Sequence, residues 1–196
     1  SGTSLAINGI IATNLILSKS NAYITNSDIT TTTGDLTLDA QNNSSINAIN
    51  KSVTTTGDTG VGVTLAFNTI GWEAQNILFQ AIDAIIGTDI GDEDPAETKA
   101  YIEDTKLNIA GDLSLNAENK ATLTANVSNA ATSAASALVN ASGMAVSAIV
   151  SSNMVSSVAD AYIEYAGDQG TVKADSIKIS AKDDASITAT TNMKAI

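Results

Sequence analysis

The sequence predicts an all-β fold: a β-solenoid with coils of about 20 residues in units of roughly 60 residues, carrying one helical insertion. Three observations predict it. A tripeptide recurs together with the segment that follows it. Apolar and polar residues alternate with a period of two. Small side chains dominate the composition, which suits a narrow core built by stacking.

The recurring tripeptide is Ala-Tyr-Ile, and a similar segment follows each copy. The copies begin at Ala22, Ala100 and Ala161. The segments that follow them are Gly34–Ala40, Gly111–Ala117 and Ala174–Ala181, and each leads into a further short segment that closes on Ala48, Ala125 or Ala189. Self-similarity at a fixed period is typical of stacked repeat architectures, in which each unit covers the apolar face of the next.

A third element precedes each tripeptide and completes the unit. It reads Gly2–Asn8 in the first copy, Gly62–Asn68 in the second and, less closely, Gly143–Ile149 in the third. The interval between this element and the tripeptide is longest in the second copy. The sequence therefore predicts extra residues in the second unit. We treat 1–196 as a single solenoid segment and 72–99 as a helix plus an acidic loop inserted into it. The chain starts within the pattern, which predicts a fragment of a longer protein.

Alternation within a unit has the period of a strand. Leu36, Leu38 and Ala40 alternate with Thr37 and Asp39, as expected for a half-buried strand. Two alternatives remain open at this point. The strands can form an antiparallel sandwich, and the alanine-rich run 130–148 can be helical because alanine favours helices. Its similarity to Gly62–Asn68 favours a strand.

The composition excludes several kinds of chemistry. The chain has no His, no Cys and no Arg, and its net charge is −12. It therefore lacks an imidazole base, a thiolate nucleophile and a disulfide framework. Excess acidic charge argues against nucleic acid as a partner, and no apolar run is long enough for membrane insertion as a helix. Ala, Thr, Ser and Asn number 31, 24, 21 and 18, which suits close stacking and hydrogen-bonded ladders.

The insertion begins with a helical pattern. From Trp72 to Ile86 the apolar residues recur at intervals of three and four, which predicts an amphipathic helix lying on the solenoid wall. Phe79 falls off this apolar stripe. Trp72 and Phe79 are candidate interaction residues, because insertions on rigid scaffolds often carry binding.

An acidic loop follows the predicted helix. Its carboxylates are candidate ligands for calcium, a cation that prefers oxygen donors, although their spacing is not that of an EF-hand. The candidates are Asp89, Asp92, Glu93, Asp94 and Glu97. The alternative is a solvated loop. No other cofactor is predicted.

No catalytic group is predicted, and we expect the chain not to be an enzyme. The carboxylates of Gly-Asp pairs, such as Asp35 and Asp112, are better explained as turn residues. The abundant hydroxyls lack an activating base. Tyr23, Tyr101 and Tyr162 are expected to stack or to lie at a coil corner, with a carbohydrate-binding platform as the functional alternative.

Together, Ala-Tyr-Ile, the Gly-Asp-Leu-x-Leu-x-Ala segment and the long Ala/Gly/Val/Ser stretch resemble the tandem repeats of very large secreted bacterial surface proteins. These are adhesin-like exoproteins similar to filamentous haemagglutinins and autotransporter passengers. The resemblance covers nearly the whole chain except 72–99 and transfers no catalytic residue. It implies an extracellular or cell-surface location, a β-helical stalk and a role in adhesion or biofilm cohesion.

The leading prediction is therefore a structural and adhesive segment. Its partners would be a host or bacterial surface glycan or protein, or further copies associating along the rod axis. The alternatives are a β-helix that binds or processes a polysaccharide, and a subunit of a self-assembling extracellular filament.

Overall fold

A computed structural model describes residues 4–72, 93–134, 143–167 and 170–196. The described residues form twelve strands. In chain order these are β1 Leu5–Ile16, β2 Lys19–Thr25, β3 Asp28–Thr30, β4 Leu36–Thr56, β5 Thr59–Ile70, β6 Ala96–Glu103, β7 Lys106–Asn108, β8 Leu113–Ser133, β9 Met144–Val155, β10 Ser157–Glu164, β11 Val172–Lys173 and β12 Ile177–Ala195. Strands β1–β4 form the first unit, β5–β8 the second and β9–β12 the third.

The strands assemble into four parallel sheets of three strands each. Every sheet takes one strand from each unit, and the strand of the second unit is always central: β1-β5-β9, β2-β6-β10, β3-β7-β11 and β4-β8-β12. Each strand therefore pairs with its counterpart in the next unit. The connection between partners runs through the other three sheets, which supplies the long crossover that parallel pairing requires.

The structure confirms the predicted all-β class and excludes antiparallel pairing between repeats. The size of the predicted coil is wrong. Strands pair one whole unit apart, so a unit of roughly 60 residues contributes a single layer and is not divided into three stacked coils of about 20 residues. Alternation alone could not reveal this, because it reports which face of a strand is buried and not which strand lies beside it.

Two predictions concern segments that are described only in part. Residues 73–92 hold nearly all of the predicted helix and lie outside the described residues, among which there is no helix. The insertion ends earlier than its predicted boundary at 99, since β6 begins at Ala96. In the alanine-rich run 130–148, residues 130–133 belong to β8 and 144–148 to β9. Residues 135–142 lie outside the described residues.

Alternate side chains of each long strand point into a shared core. In β8, Leu113, Leu115 and Leu123 are fully buried, and they lie between their register partners in β4 and β12. Ile102 of β6 belongs to the same hydrophobic cluster as Leu113 and Leu115, and Ile70 of β5 belongs to the same cluster as Leu123. Burying a side chain of this size contributes about 1.5–3 kcal/mol, and the second unit is covered on both sides.

Polar residues also enter this interior, and the asparagines of one ladder bond to one another. Asn14, Asn68 and Asn153 are register partners in β1, β5 and β9. The Nδ2 of Asn14 donates to Oδ1 of Asn68 at 2.8 Å, and the Nδ2 of Asn68 donates to Oδ1 of Asn153 at 2.8 Å. Asn68 is fully buried, so this asparagine ladder provides the partners that a buried amide needs.

A second polar contact joins neighbouring sheets within a layer. In the first unit, Nδ2 of Asn42 donates to Oγ of Ser18 at 3.0 Å. In the third unit, Oγ of Ser157 donates to Oδ1 of Asp183 at 2.8 Å. Asn42 and Asp183 occupy the same ladder position in β4 and β12. The start of the tyrosine-bearing strand is therefore held by a hydrogen bond in both end units.

Candidate functional site

The three predicted tyrosines form one outward-facing stack on the sheet β2-β6-β10. Tyr23, Tyr101 and Tyr162 are register partners at an outward-facing position. Their ring centroids are 5.3 and 5.2 Å apart, and the ring planes differ by 12° and 11°. The expected stacking is confirmed. Because strands of a sheet are spaced at a similar distance, parallel pairing in register is sufficient to bring these rings together.

This stacking limits what the tyrosines can bind. Both faces of the Tyr101 ring are covered by its neighbours, so only the outer face of Tyr23 and the outer face of Tyr162 are left for a ligand. A sugar that packs on an aromatic face would therefore contact an end of the stack and not its length. Tyr23 is 59% exposed. The row of rings presents mainly edges and hydroxyl groups to solvent.

An acidic cleft lies beside the end of the tyrosine stack. It has a volume of about 230 Å³ and is lined by Glu103, Asp104, Glu164 and Ala166. Glu103 and Glu164 are register partners, so two carboxylates occupy adjacent positions on the same face. Asp104 has a left-handed backbone with φ of 45°, and its Oδ1 accepts a hydrogen bond from the Ala166 amide at 2.8 Å.

The cleft and the stack are linked through Tyr162. Its hydroxyl donates to Oε1 of Glu103 at 3.2 Å. Burial, and then this hydrogen bond, raise the pKa of Tyr162 to about 12. The nearby Tyr165 hydroxyl donates to the Thr105 carbonyl at 2.6 Å, and burial, with Asp104 adding to it, raises the pKa of Tyr165. Both phenols remain neutral hydrogen-bond donors at neutral pH.

The cleft offers carboxylate oxygens as hydrogen-bond acceptors, and its lining among the described residues includes no Lys, Ser, Thr or Tyr side chain. Such a lining can accept hydrogen bonds from hydroxyl or amino groups. Sequence reasoning missed Glu103 and Glu164. The signal was present, since Ala-Tyr-Ile is followed by Glu in the second and third copies, whereas Thr25 follows the first.

A β-bridge joins the two described residues that flank residues 73–92. Trp72 and Glu93 form an isolated antiparallel bridge, and Glu93 also accepts a hydrogen bond from the Ser156 hydroxyl. In the part of the chain that is described, the Trp72 indole N–H is buried and has no hydrogen-bond partner. Phe79 lies outside the described residues.

The predicted calcium ligands are described only in part. Asp89 and Asp92 lie outside the described residues. Asp94 pairs with Lys19 at 2.7 Å and Glu97 with Lys99 at 2.6 Å. The hydrogen bond to Glu97 raises the pKa of Lys99. Among the residues with described positions, no three acidic side chains converge on a possible metal position. Calcium binding by the full set stays a prediction.

Carboxylates of the turns make structural contacts between units. The Oδ1 of Asp35 accepts a hydrogen bond from the Asp112 amide at 2.8 Å, and the Oδ1 of Asp112 accepts one from the Ser176 hydroxyl at 2.6 Å. The Oδ2 of Asp58 accepts a hydrogen bond from the Ser4 amide at 2.6 Å. These acids therefore cap backbone or side-chain groups of the neighbouring unit, as expected for turn residues.

Comparison with known proteins adds no relative. No protein-family model, curated protein or solved structure matches this chain. A search of the described residues for a helix with the length and apolarity to cross a membrane finds none. A function for this chain therefore rests on its own sequence and geometry.

Proposed function

We propose that this chain is a β-solenoid segment of an extracellular bacterial surface protein or fibre, with a structural and adhesive role in attachment or cohesion. The observation that carries the proposal is the common register of all four sheets, in which each unit adds one layer. In such an architecture each layer stabilises its neighbours and the molecule lengthens by repetition.

The composition supports a scaffold. Small side chains allow close packing of neighbouring walls, and in the asparagine ladder the buried amide of Asn68 bonds to its equivalents in the layers on both sides. The absence of cysteine removes any dependence on disulfide formation. A protein of this kind can fold after export to the cell surface without an oxidation step.

Attachment is tested by displaying the chain on a bacterium that has no adhesin of its own. We expect displaying cells to adhere to glycan-coated or protein-coated surfaces, or to one another, more than cells carrying the export machinery alone. The control is Gly71→Ala, a variant expected to disrupt the layers, displayed at the same level by antibody staining. Equal adhesion of the wild type and the empty cells would overturn the adhesive role.

Polysaccharide binding is a second candidate, and the acidic cleft favours it. The carboxylates of Glu103 and Glu164 and the hydroxyl of Tyr162 can bond sugar hydroxyls beside a ring edge. A glycan array with wild type and Glu103→Gln/Glu164→Gln tests this candidate. Loss of a wild-type signal in the variant supports it, whereas equal signals place binding elsewhere. Turnover in a lyase and hydrolase screen would overturn the non-enzymatic proposal.

A further inference from the structure

A groove crosses the three strands of the sheet β4-β8-β12. It has a volume of about 380 Å³ and is lined by three successive ladder positions in each strand, 51–53, 128–130 and 192–194. We call it the lysine groove, because Lys51 and Lys194 lie in its wall. Since each unit supplies the same three positions, the groove follows the direction in which the units stack.

The side chains of this groove belong to the outer surface of the sheet. Ser52 and Asn129 are buried and point inward, so the residues on either side of them point outward. The outward-facing residues of the groove are Lys51, Val53, Ser128, Ala130, Asn192 and Lys194. Further units stacked on the strand edges would leave these side chains on the outside. The central unit demonstrates this, because Ser128 and Ala130 stay partly exposed between two layers.

Acidic residues are absent from this part of the sheet. The chain carries 21 acidic residues against nine lysines, yet the register-matched segments 44–56, 121–133 and 185–195 contain no Asp or Glu. Their only charged residues are Lys51 and Lys194. The earlier halves of the same strands carry both signs, with acids at Asp39, Glu118 and Asp184. The groove is therefore a positively charged region on a chain whose net charge is −12.

Both groove lysines are available to a ligand. Neither forms an ion pair within the described residues, where the lysines that do are Lys19, Lys99 and Lys182. The acidic residue nearest to Lys51 along the chain is Asp58. Its Oδ2 accepts hydrogen bonds from the amide and the hydroxyl of Ser4. Two ammonium groups without an internal counter-ion attract an anionic ligand to the groove.

The floor between the lysines offers neutral hydrogen-bonding groups. It presents the Ser128 hydroxyl and the Asn192 amide, with the small Ala130 beside them. The Oγ of Ser128 donates to the Asn50 carbonyl at 3.5 Å, so its lone pairs remain for a donor on the ligand. Strand β8 is paired on both sides along this segment, so a peptide cannot add to the floor as a strand. The groove therefore suits a ligand that carries both hydroxyl groups and carboxylates.

We propose that the lysine groove binds an acidic polysaccharide, whose uronic acid carboxylates pair with Lys51 and Lys194 and whose hydroxyls bond to Ser128 and Asn192. This inference rests on the attachment role proposed above and names the class of glycan that is recognised. The two lysines belong to the first and third units, and strand geometry places their Cα atoms roughly 12 Å apart. A polymer with repeated carboxylates therefore fits the groove better than a single sugar.

Isothermal titration calorimetry with oligogalacturonate, a chain of uronic acids, tests the proposal on the 196-residue protein. The variant Lys51→Gln/Lys194→Gln removes both ammonium groups of the groove. Its matched control, Lys120→Gln/Lys178→Gln, removes two exposed lysines from the same sheet outside the groove and has the same net charge. We expect binding to weaken about five- to twentyfold in the groove variant and by less than about twofold in the control, and wild-type affinity to fall as salt rises.

Ser128→Asp provides a second variant, which keeps both lysines but places a carboxylate in the floor and should also weaken binding. Circular dichroism verifies the fold of each variant. Equal weakening by the two lysine pairs would indicate a response to net charge alone and overturn the site. Binding of poly-glutamate without binding of oligogalacturonate would overturn the choice of a polysaccharide. Wild type that does not bind oligogalacturonate would overturn the groove proposal, whereas adhesion by cells displaying that same chain would still support the attachment role.

Discussion

Replacing Gly71 with alanine tests whether the units lie in the register described. Gly71 follows β5 and has φ of +75°, a left-handed conformation that costs a residue with a Cβ about 1–2 kcal/mol. An added Cβ would lie 2.7 Å from the Ala96 amide nitrogen and closer still to the Ser156 carbonyl oxygen. Ser156 belongs to the third unit, so the clash depends on contact between units distant in sequence.

The magnitude follows from what the clash would displace. The Ala96 amide donates to the Ser156 carbonyl at 3.0 Å, and both atoms belong to backbone that cannot rotate away as a side chain can. Separating them leaves a buried donor or acceptor unpaired, at a cost of about 1–3 kcal/mol. When this cost is added to that of the left-handed backbone, we expect Gly71→Ala to lower the free energy of unfolding by about 2–5 kcal/mol. This is a large part of the stability of a typical domain.

Two other glycines provide matched controls. Gly34 also has a left-handed backbone, with φ of +87°, but an added Cβ meets nothing within 4 Å. Gly34→Ala should therefore cost only about 1–2 kcal/mol. Gly9 has open space and lies in a strand, so Gly9→Ala should be neutral or stabilise by up to about 1 kcal/mol. Urea unfolding followed by circular dichroism measures all three. Equal losses for Gly71→Ala and Gly34→Ala would refute the contact between units.

The remaining predictions concern the ladders. Asn68→Ala should lower the free energy of unfolding by about 2–4 kcal/mol in urea titrations, because its two ladder neighbours lose their partner. Tyr101→Ala should cost about 0.5–1.5 kcal/mol more than Tyr23→Ala, since the central ring has two stacked neighbours and the end ring one. Tyr162 has a pKa raised from 10.0 to about 12, so its contribution is complete below pH 10 and is lost as pH rises through 12. After reduction for solvent screening of this partly exposed group, the wild type should lose up to about 1 kcal/mol over this interval relative to Tyr162→Phe, measured by unfolding at each pH. Glu164→Thr should raise the melting temperature, with a gain of up to about 1 kcal/mol, because it removes a like-charge pair.

The repeats that contain large or distinctive residues were predicted correctly from the sequence. The three Ala-Tyr-Ile copies pair in register, and so do the segments after them, where Leu36 pairs with Leu113 and Leu113 with Ile177. When layers stack, a tyrosine or leucine packs best on a side chain of similar shape at the same position of the next unit. The spacing of these residues in the sequence therefore predicts the register between units. The period-two alternation also identified the buried faces of these strands correctly.

The element before the tripeptide was predicted in the wrong register. Its similarity aligned Asn8 with Asn68, whereas the structure pairs Asn8 with Gly62 and Asn14 with Asn68. The error is an even number of residues. Such a shift returns every side chain to the same face, so alternation could not detect it. The observed register places Asn14 beside Asn68, where its amide continues the asparagine ladder.

The pair of glutamates at the acidic cleft differs in its energetics from the ladders of tyrosine, asparagine and leucine. Tyrosine lies on tyrosine, asparagine on asparagine and leucine on leucine or isoleucine, and each match lowers the free energy of a layer. Glu103 on Glu164 raises it, because like charges at paired positions repel by up to about 1 kcal/mol. Thr25 occupies the same position in the first unit, so the fold accepts an uncharged residue there. A scaffold selected for stability alone would carry threonine in all three units. Stability therefore does not explain the paired glutamates beside the tyrosine stack. A ligand-binding role for the tyrosine-bearing sheet should first be sought at this pair.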